Sequence, residues 1–396
     1  MRHNLFVPVL VAILLSACSS QPADPPDLQL TTQERETLAA ARQPESWFVS
    51  HLKGPREKVD GDLLNPKMQY VLETFSRPSS TPEAEQEERA AFATEEGRRA
   101  ARASVDRRWT INAKLTADMA SVEDRRIPGR DAEIPVRIYR PKSAGEGTLP
   151  VLVYFHGGGY IFGSIAAVDR QVRLIANEAE VIVVSVDYRL APEHPYPAPQ
   201  NDAEDAYLWV RDNAASFGGD VARIGVGGDS AGGQLATVIS YRQLQAKRPL
   251  PLYQLLYYPA VHTRQNDRSY ELFGVGYGLD RSFVDLVVAM AFPDPAVRDG
   301  DDAIPFNATS LAGMPATILA AAGYDPLRSS GRALARKLEK DGVSVIYLNF
   351  SSLTHSFLNW SGVIDDADKA ATLTARLFGQ AIRSRAAQLA ETEGGS

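Results

Sequence analysis

One stretch leaves this chain little choice of architecture: Arg223-Ile-Gly-Val-Gly-Gly-Asp-Ser-Ala-Gly-Gly233. Arg223 to Val226 carries two β-branched residues in a short apolar run and reads as a buried strand. From Gln234 to Leu244 the apolar residues take helical spacing. Between strand and helix, Gly228-Asp-Ser-Ala-Gly232 matches G-x-S-x-G in the strand–turn–helix setting that gives the pattern meaning. A serine whose Oγ must project from a sharp turn leaves no room for side chains two residues either way, which accounts for Gly228 and Gly232. Alone, the pentapeptide fits an ordinary tight turn equally well. Its neighbours decide.

From Ile127 onward strands alternate with helices. Residues 134–139 alternate apolar and polar as a half-buried strand does, while 150–155 and 181–186 are unbroken apolar runs of the kind buried on both faces. Further strands are expected at 253–258, 316–321 and 344–350, and helices at 168–178, 202–213, 282–291, 329–340 and 366–388. The pattern predicts an α/β fold with a mostly parallel, doubly wound central sheet and helices on both faces. Function in such sheets gathers at the carboxyl ends of the strands.

Three candidates sit at such ends. His156-Gly157-Gly158-Gly159-Tyr160 follows the strand ending at Phe155. Its glycines let backbone N–H groups converge on one point, as acyl transfer needs where negative charge develops. No phosphate-binding G-x-G-x-x-G follows a strand, and no P-loop lysine appears, so an oxyanion hole is the favoured reading. After an elbow serine the chain order is acid, then histidine. Of six histidines only His262 and His355 follow Ser230. His355 lies just past the 344–350 strand and is the better base; His262 reads as a pocket or surface residue. Asp325 directly follows the 316–321 strand and is the candidate acid, whereas Asp294, Asp299, Asp301 and Asp302 fall in a polar loop and read as solvated. An aspartate before proline also forms turns.

Composition excludes other classes. A net charge of −7 with no Lys/Arg cluster argues against a nucleic-acid partner. One cysteine permits neither an intramolecular disulfide nor a thiolate metal cage, and no cofactor is expected. That cysteine, Cys18, ends Leu15-Ser-Ala-Cys18, behind Arg2, His3 and eleven mostly apolar residues, too few to span a bilayer that needs about 20. The stretch resembles a bacterial lipoprotein signal peptide. On that resemblance, residues 1–17 are removed, Cys18 is lipidated and 18–27 form a proline-rich tether. The chain is then held at the cell envelope by acyl chains, with Ser19 favouring the outer membrane and a periplasm-facing site. A secreted or periplasmic soluble protein is the alternative. Residues 28–126 read as helical: one helix from Thr31 or Thr32 towards Arg42, one from the cap Thr81-Pro82-Glu83 to about Arg102, and one over Val105–Val122.

Taken together, His156-Gly-Gly-Gly-Tyr160, Gly228-Asp-Ser-Ala-Gly-Gly233, Asp325-Pro-Leu-Arg328 and His355 resemble the hormone-sensitive-lipase-like family of α/β-hydrolases, the bacterial acetyl esterase group. Ile134-Pro-Val-Arg-Ile-Tyr-Arg-Pro141 and Asp187-Tyr-Arg-Leu-Ala-Pro-Glu-His-Pro-Tyr-Pro-Ala198 extend the match over about 125–360. The resemblance implies an α/β-hydrolase fold over 127–396, with 28–126 as an N-terminal helical cap. It implies a serine carboxylesterase acting on short-chain esters, with Ser230 as nucleophile, His355 as base and Asp325 as acid. The N–H groups of Gly158, Gly159 and Ala231, with Gly157 beside them, would line the oxyanion hole. Glu193 and His194 would brace their loop. A lipase or amidase would share these motifs, and a receptor of this fold would typically lack the base. Two positions depart from the family: Ser356 follows the histidine where glycine is usual, and Ser329-Ser330 stand where acidic residues are common.

Overall fold

The computed structural model describes residues 30–75, 82–142 and 147–393; the expected signal peptide, Cys18, the expected tether and Thr81 lie outside them. Five helices and a small hairpin come first: α1 (Thr32–Ala41), α2 (Glu45–His51), β1 (Lys58–Val59), β2 (Asp62–Leu63), α3 (Pro66–Phe75), α4 (Pro82–Ala93) and α5 (Glu95–Asn112). Then come β3 (Met119–Pro128), β4 (Glu133–Pro141), β5 (Leu149–Phe155), α6 (Asp169–Ala179), β6 (Ile182–Val186), α7 (Ala198–Asn213), β7 (Gly219–Asp229), α8 (Ala231–Gln245) and β8 (Tyr253–Tyr257). After β8 follow α9 (Arg268–Phe273), α10 (Arg281–Ala291), β9 (Ala316–Tyr324), α11 (Arg328–Lys340), β10 (Val345–Thr354) and α12 (Asp365–Glu393). Among the described residues no helix is long and apolar enough to cross a membrane.

Eight strands form one sheet in the order β10-β9-β8-β7-β5-β6-β4-β3. From β10 to β6 every pairing is parallel; β6–β4 and β4–β3 are antiparallel. The pleat divides the core. Val151, Val153 and Phe155 of β5 pack with Tyr207 of α7, Leu235 and Ile239 of α8 and Leu334 of α11. Leu152 and Tyr154 point the other way, among Val172 and Ile175 of α6 and Ala371 and Phe378 of α12. A strand apolar on both faces is thus covered on both, as its unbroken apolar run required.

Two of the helices expected in the N-terminal segment end differently from their sequence pattern. The stretch expected as one helix from Thr81 is broken at Thr94, whose side chain accepts from the Gly97 N–H and caps α5. The helix expected over Val105–Val122 stops at Asn112, and Met119–Val122 belongs to β3, so the sheet begins inside the stretch read as helical. As an edge strand, β3 pairs only with β4 and is exposed along most of its length. Its charged residues blunt a free edge and erase the alternation that would mark it.

α5 has no fully buried residue, yet it is tied to the core through arginines. Arg102 donates to the carbonyls of Ile161 (2.9 Å) and Ala191 (2.9 Å) and to Glu193 Oε2 (2.8 Å), and Arg98 Nε meets Glu193 Oε1 at 2.7 Å. Burial pushes the Glu193 carboxyl pKa up, but these hydrogen bonds outweigh it and hold it at about 2, below its ordinary 4.5. A depressed carboxyl pKa stabilises the fold above the ordinary value, and that contribution is lost as pH falls from 4.5 towards 2. Replacing Arg102 by alanine is therefore expected to cost about 1–3 kcal/mol near neutral pH. It should also flatten the acid limb of the stability curve. Thermal melts of both proteins across that window check both effects.

Candidate active site

The glycines of the elbow are steric necessities. A Cβ on Gly232 would run into the Phe155 carbonyl, and one on Gly228 would strike both that carbonyl and the Gly232 backbone. Squeezed between them, Ser230 takes φ 53° and ψ −117°, a conformation non-glycine residues rarely hold. Its N–H donates to the Tyr257 carbonyl (2.9 Å), and its carbonyl accepts from the N–H groups of Gln234 (3.1 Å) and Ala260 (2.9 Å). Backbone fixed, the hydroxyl points out of the turn.

Two other strand ends meet it there. His355, immediately after β10, lies with Nε2 3.0 Å from Ser230 Oγ. Its Nδ1 is 2.8 Å from Oδ2 of Asp325, the residue after β9. Asp325 is 1% exposed, and its Oδ1 accepts the Leu327 N–H at 2.7 Å, so both carboxylate oxygens are occupied. Tyr258 packs edge-on against the imidazole, with ring centroids 4.9 Å apart. A hydroxyl, imidazole and carboxylate in hydrogen-bonded series can move a proton off the hydroxyl while the carboxylate holds the imidazolium. His262 is not in this group: its Nδ1 accepts the Arg264 N–H, and burial lowers its pKa. The acidic loop is also accounted for, with Asp302 on Arg242 and Tyr196, Asp301 on Tyr241 and Asp299 on Arg264. Asp301 and Asp302 therefore bind α8 and are not simply solvated.

The glycine turn after β5 corrects one expectation. Gly157 donates its N–H to Asp229 Oδ1 at 2.9 Å, so it has no donor left for a reacting oxygen. The reason is Asp229 itself, a buried carboxylate inside the elbow that must find donors; it takes this one and the Tyr154 hydroxyl (2.7 Å). Burial raises its pKa against these donors. Among the described residues the N–H groups of Gly158, Gly159 and Ala231 have no acceptor. Gly158 (φ 108°) and Gly159 (φ 61°) take left-handed backbone conformations, which a side chain would resist. Asp229 went unremarked in the sequence because it occupies a variable position of the motif. A carboxylate between a buried strand and the serine was the available signal. Among the described residues no three His, Cys, Asp or Glu side chains form a metal-ligating group.

The model of the alpha/beta hydrolase fold matches residues 152–359, more than half of the chain. The chain belongs to this family. It is similar to the carboxylic ester hydrolase LipN of Mycobacterium tuberculosis, 41% identical over 244 residues covering 60% of this chain and 64% of LipN, just under two thirds of that protein's length. It is 35% identical to the carboxylesterase NlhH of the same organism over 313 residues, covering 78% of this chain and 92% of NlhH. Among solved structures, a hyperthermophilic esterase from Pyrobaculum calidifontis superposes with a TM-score of 0.68 at 33% identity, covering 78% of this chain and 99% of that one.

Within this alpha/beta hydrolase, Ser356 is also explained. It takes φ 60°, ψ 30°, a left-handed conformation, so glycine would serve there without strain. The serine occupies the backbone that glycine would take, and the histidine before it keeps its reach. Ser356→Gly is expected to stabilise the protein by about 0.5–1 kcal/mol, the strain relieved less the added chain entropy of glycine. Denaturant unfolding of the pair measures it.

Proposed function

We propose that this protein is a serine carboxylesterase acting on short-chain acyl esters, with Ser230 as nucleophile, His355 as general base and Asp325 as the acid that orients it. The observation that carries the reading is the unbroken series Asp325 Oδ2 to His355 Nδ1 (2.8 Å) and His355 Nε2 to Ser230 Oγ (3.0 Å). The names of LipN, NlhH and the Pyrobaculum enzyme, all ester hydrolases, support it from a second direction.

In this reading His355 Nε2 takes the hydroxyl proton as Ser230 Oγ attacks the ester carbonyl, and Asp325 stabilises the resulting imidazolium. The carbonyl oxygen becomes an oxyanion between the N–H groups of Gly158, Gly159 and Ala231, where one donor contributes about 3–4 kcal/mol. The imidazolium returns its proton to the departing alkoxide. Water then attacks the acyl-serine by the same route, releasing the acid and restoring the hydroxyl. Tyr270, Leu279 and Leu327, with Ala260 and Phe283 against them, form an apolar group beside the site, which suits an acyl chain. The helices α1 to α5 act as its cap.

Ser230→Ala and His355→Ala are each expected to lower kcat on p-nitrophenyl butyrate by about 10⁴-fold or more, since residues that act as a unit fail together. A His355→Ala protein only a few-fold slower would point to another base. A panel of esters of graded chain length, with an anilide beside them, separates esterase from lipase and amidase.

We further propose that the mature chain begins at a lipidated Cys18 and faces the periplasm from the outer membrane. The apolar run, the small residues before Cys18 and the proline-rich tether support this. In a bacterial host the wild type should partition into detergent and carry acyl mass on its N-terminal peptide, whereas Cys18→Ala should stay aqueous. Wild type that remains in the aqueous phase, unacylated, would leave the secreted alternative.

A further inference from the structure

The acid and the base stand on the last two strands of the sheet, Asp325 after β9 and His355 after β10, and β10 is the sheet's edge. Their outer neighbour is one short N-terminal piece, residues 57–68. Its hairpin turns at Asp60-Gly61, with φ 56° and 95°, the two left-handed residues that a tight hairpin loop asks for. The Tyr324 hydroxyl, on the residue before Asp325, accepts the Val59 N–H (3.1 Å) and donates to the Asp62 carbonyl (2.8 Å). Just past the hairpin, the Asn65 N–H donates to the Ser352 carbonyl of β10 (2.9 Å). Met68 Sδ then accepts the hydroxyl of Thr354, the residue before His355 (3.3 Å). One piece of chain is thereby bonded to the residues that precede both the acid and the base.

Asp60 adds a contact on the other side of the acid. The turn that carries Asp325 is stapled by Arg328, whose main-chain N–H donates to the Asp325 carbonyl (3.0 Å) and whose Nη1 donates to the Gly323 carbonyl (2.9 Å). The same guanidinium lies 5.0 Å over the Phe273 ring, and its Nη2 donates to Asp60 Oδ2 (3.0 Å). One end of the planar fork thus holds the turn while Asp60 holds the other. Asp60 Oδ1 takes Arg268, the first residue of α9, the helix that carries Tyr270 of the apolar group beside the site. Asp60 and Arg268 are exposed, and exposed ion pairs add little to stability. What Asp60 supplies is a fixed place for the half-buried Arg328 fork. A carboxylate that drifts from the imidazole it orients costs rate far more than it costs stability.

We infer that Asp60 is a positioning residue for the reaction: through Arg328 it fixes the turn that aims Asp325 at His355, from an exposed N-terminal hairpin that touches no reacting atom. This rests on the esterase reading of Ser230, His355 and Asp325. Asp60→Asn removes the charge and keeps a residue suited to the left-handed turn. It should lower kcat on p-nitrophenyl butyrate about three- to tenfold, per folded protein measured by circular dichroism, with KM unchanged. Asp60→Glu should recover part of the loss. Arg328→Gln should lower kcat at least as much, and adding Asp60→Asn to it should cost nothing further, because the first residue acts only through the second. Proton NMR reads the geometry without turnover: the far-downfield imidazole N–H signal, assigned by its loss in His355→Ala, should shift or broaden in Asp60→Asn. If the wild type hydrolyses no ester, the esterase reading falls, and this signal still tests whether Asp60 sets the Asp325–His355 contact; an unmoved signal would then overturn the inference. Wild-type kcat in Asp60→Asn, or losses that simply add to those of Arg328→Gln, would overturn it while leaving the esterase reading intact.

Discussion

A backbone crossing that admits no side chain sits beneath everything else in this molecule. The carbonyl of Phe155 at the end of β5 lies where a Cβ on Gly228 or Gly232 would have to go, so strand and helix touch through bare main chain. The turn between them is held by neighbours on both sides: β5 pairs Phe155 with Gly228, and β8 pairs Tyr257 with Asp229. Strain at a residue such as Ser230, of order 1–3 kcal/mol, persists only where the surroundings over-determine the backbone. Here they do, because the turn lies in the middle of a parallel sheet covered on both faces.

The same crossing ties the glycine turn to the serine. Asp229 precedes Ser230 and, from within the elbow, binds the N–H of Gly157 and the hydroxyl of Tyr154. The segment offering free N–H groups and the segment offering the hydroxyl are thus one hydrogen-bonded piece. Neither can shift without the other. The cost is a carboxylate buried among neutral donors, visible as a pKa raised by burial. Such a group is tolerated only when its partners are in place, which makes the turn's geometry as rigid as the sheet behind it.

Much of this was legible in the sequence where local pattern and burial coincide. The strands at 150–155, 181–186 and 316–321 are apolar because both their faces are covered, and the motif residues His156 to Gly159 and Gly228 to Gly232 sit where strands end. Ser230, Asp325 and His355 could be brought together on paper by chain order and strand ends alone. The misses share another cause. β3 is an exposed edge whose residues from Ala120 to Asp124 carry no burial alternation, so its start, Met119–Val122, passed for the end of a helix. Gly157 was set beside Gly158 and Gly159 in the oxyanion hole, because nothing in a run of three glycines says which N–H a buried carboxylate will claim. The hairpin β1–β2 is two residues on each side, too short to leave a period, and it is held by long-range bonds from the Tyr324 hydroxyl to the Glu57 and Asp62 carbonyls.

The N-terminal helices were the least legible part, and the way α5 is attached is the reason. α5 rests on the core through arginine side chains that end on backbone carbonyls and on Glu193, with no residue fully buried. A helix seated by an apolar stripe would announce itself by period, but it would also fill the space beneath it with side chains. Long cationic side chains reach backbone carbonyls that short apolar ones would not, and only Ala101 and Trp109 add apolar contact with the core. The polarity that hides α5 from pattern reading is therefore the polarity that seats it.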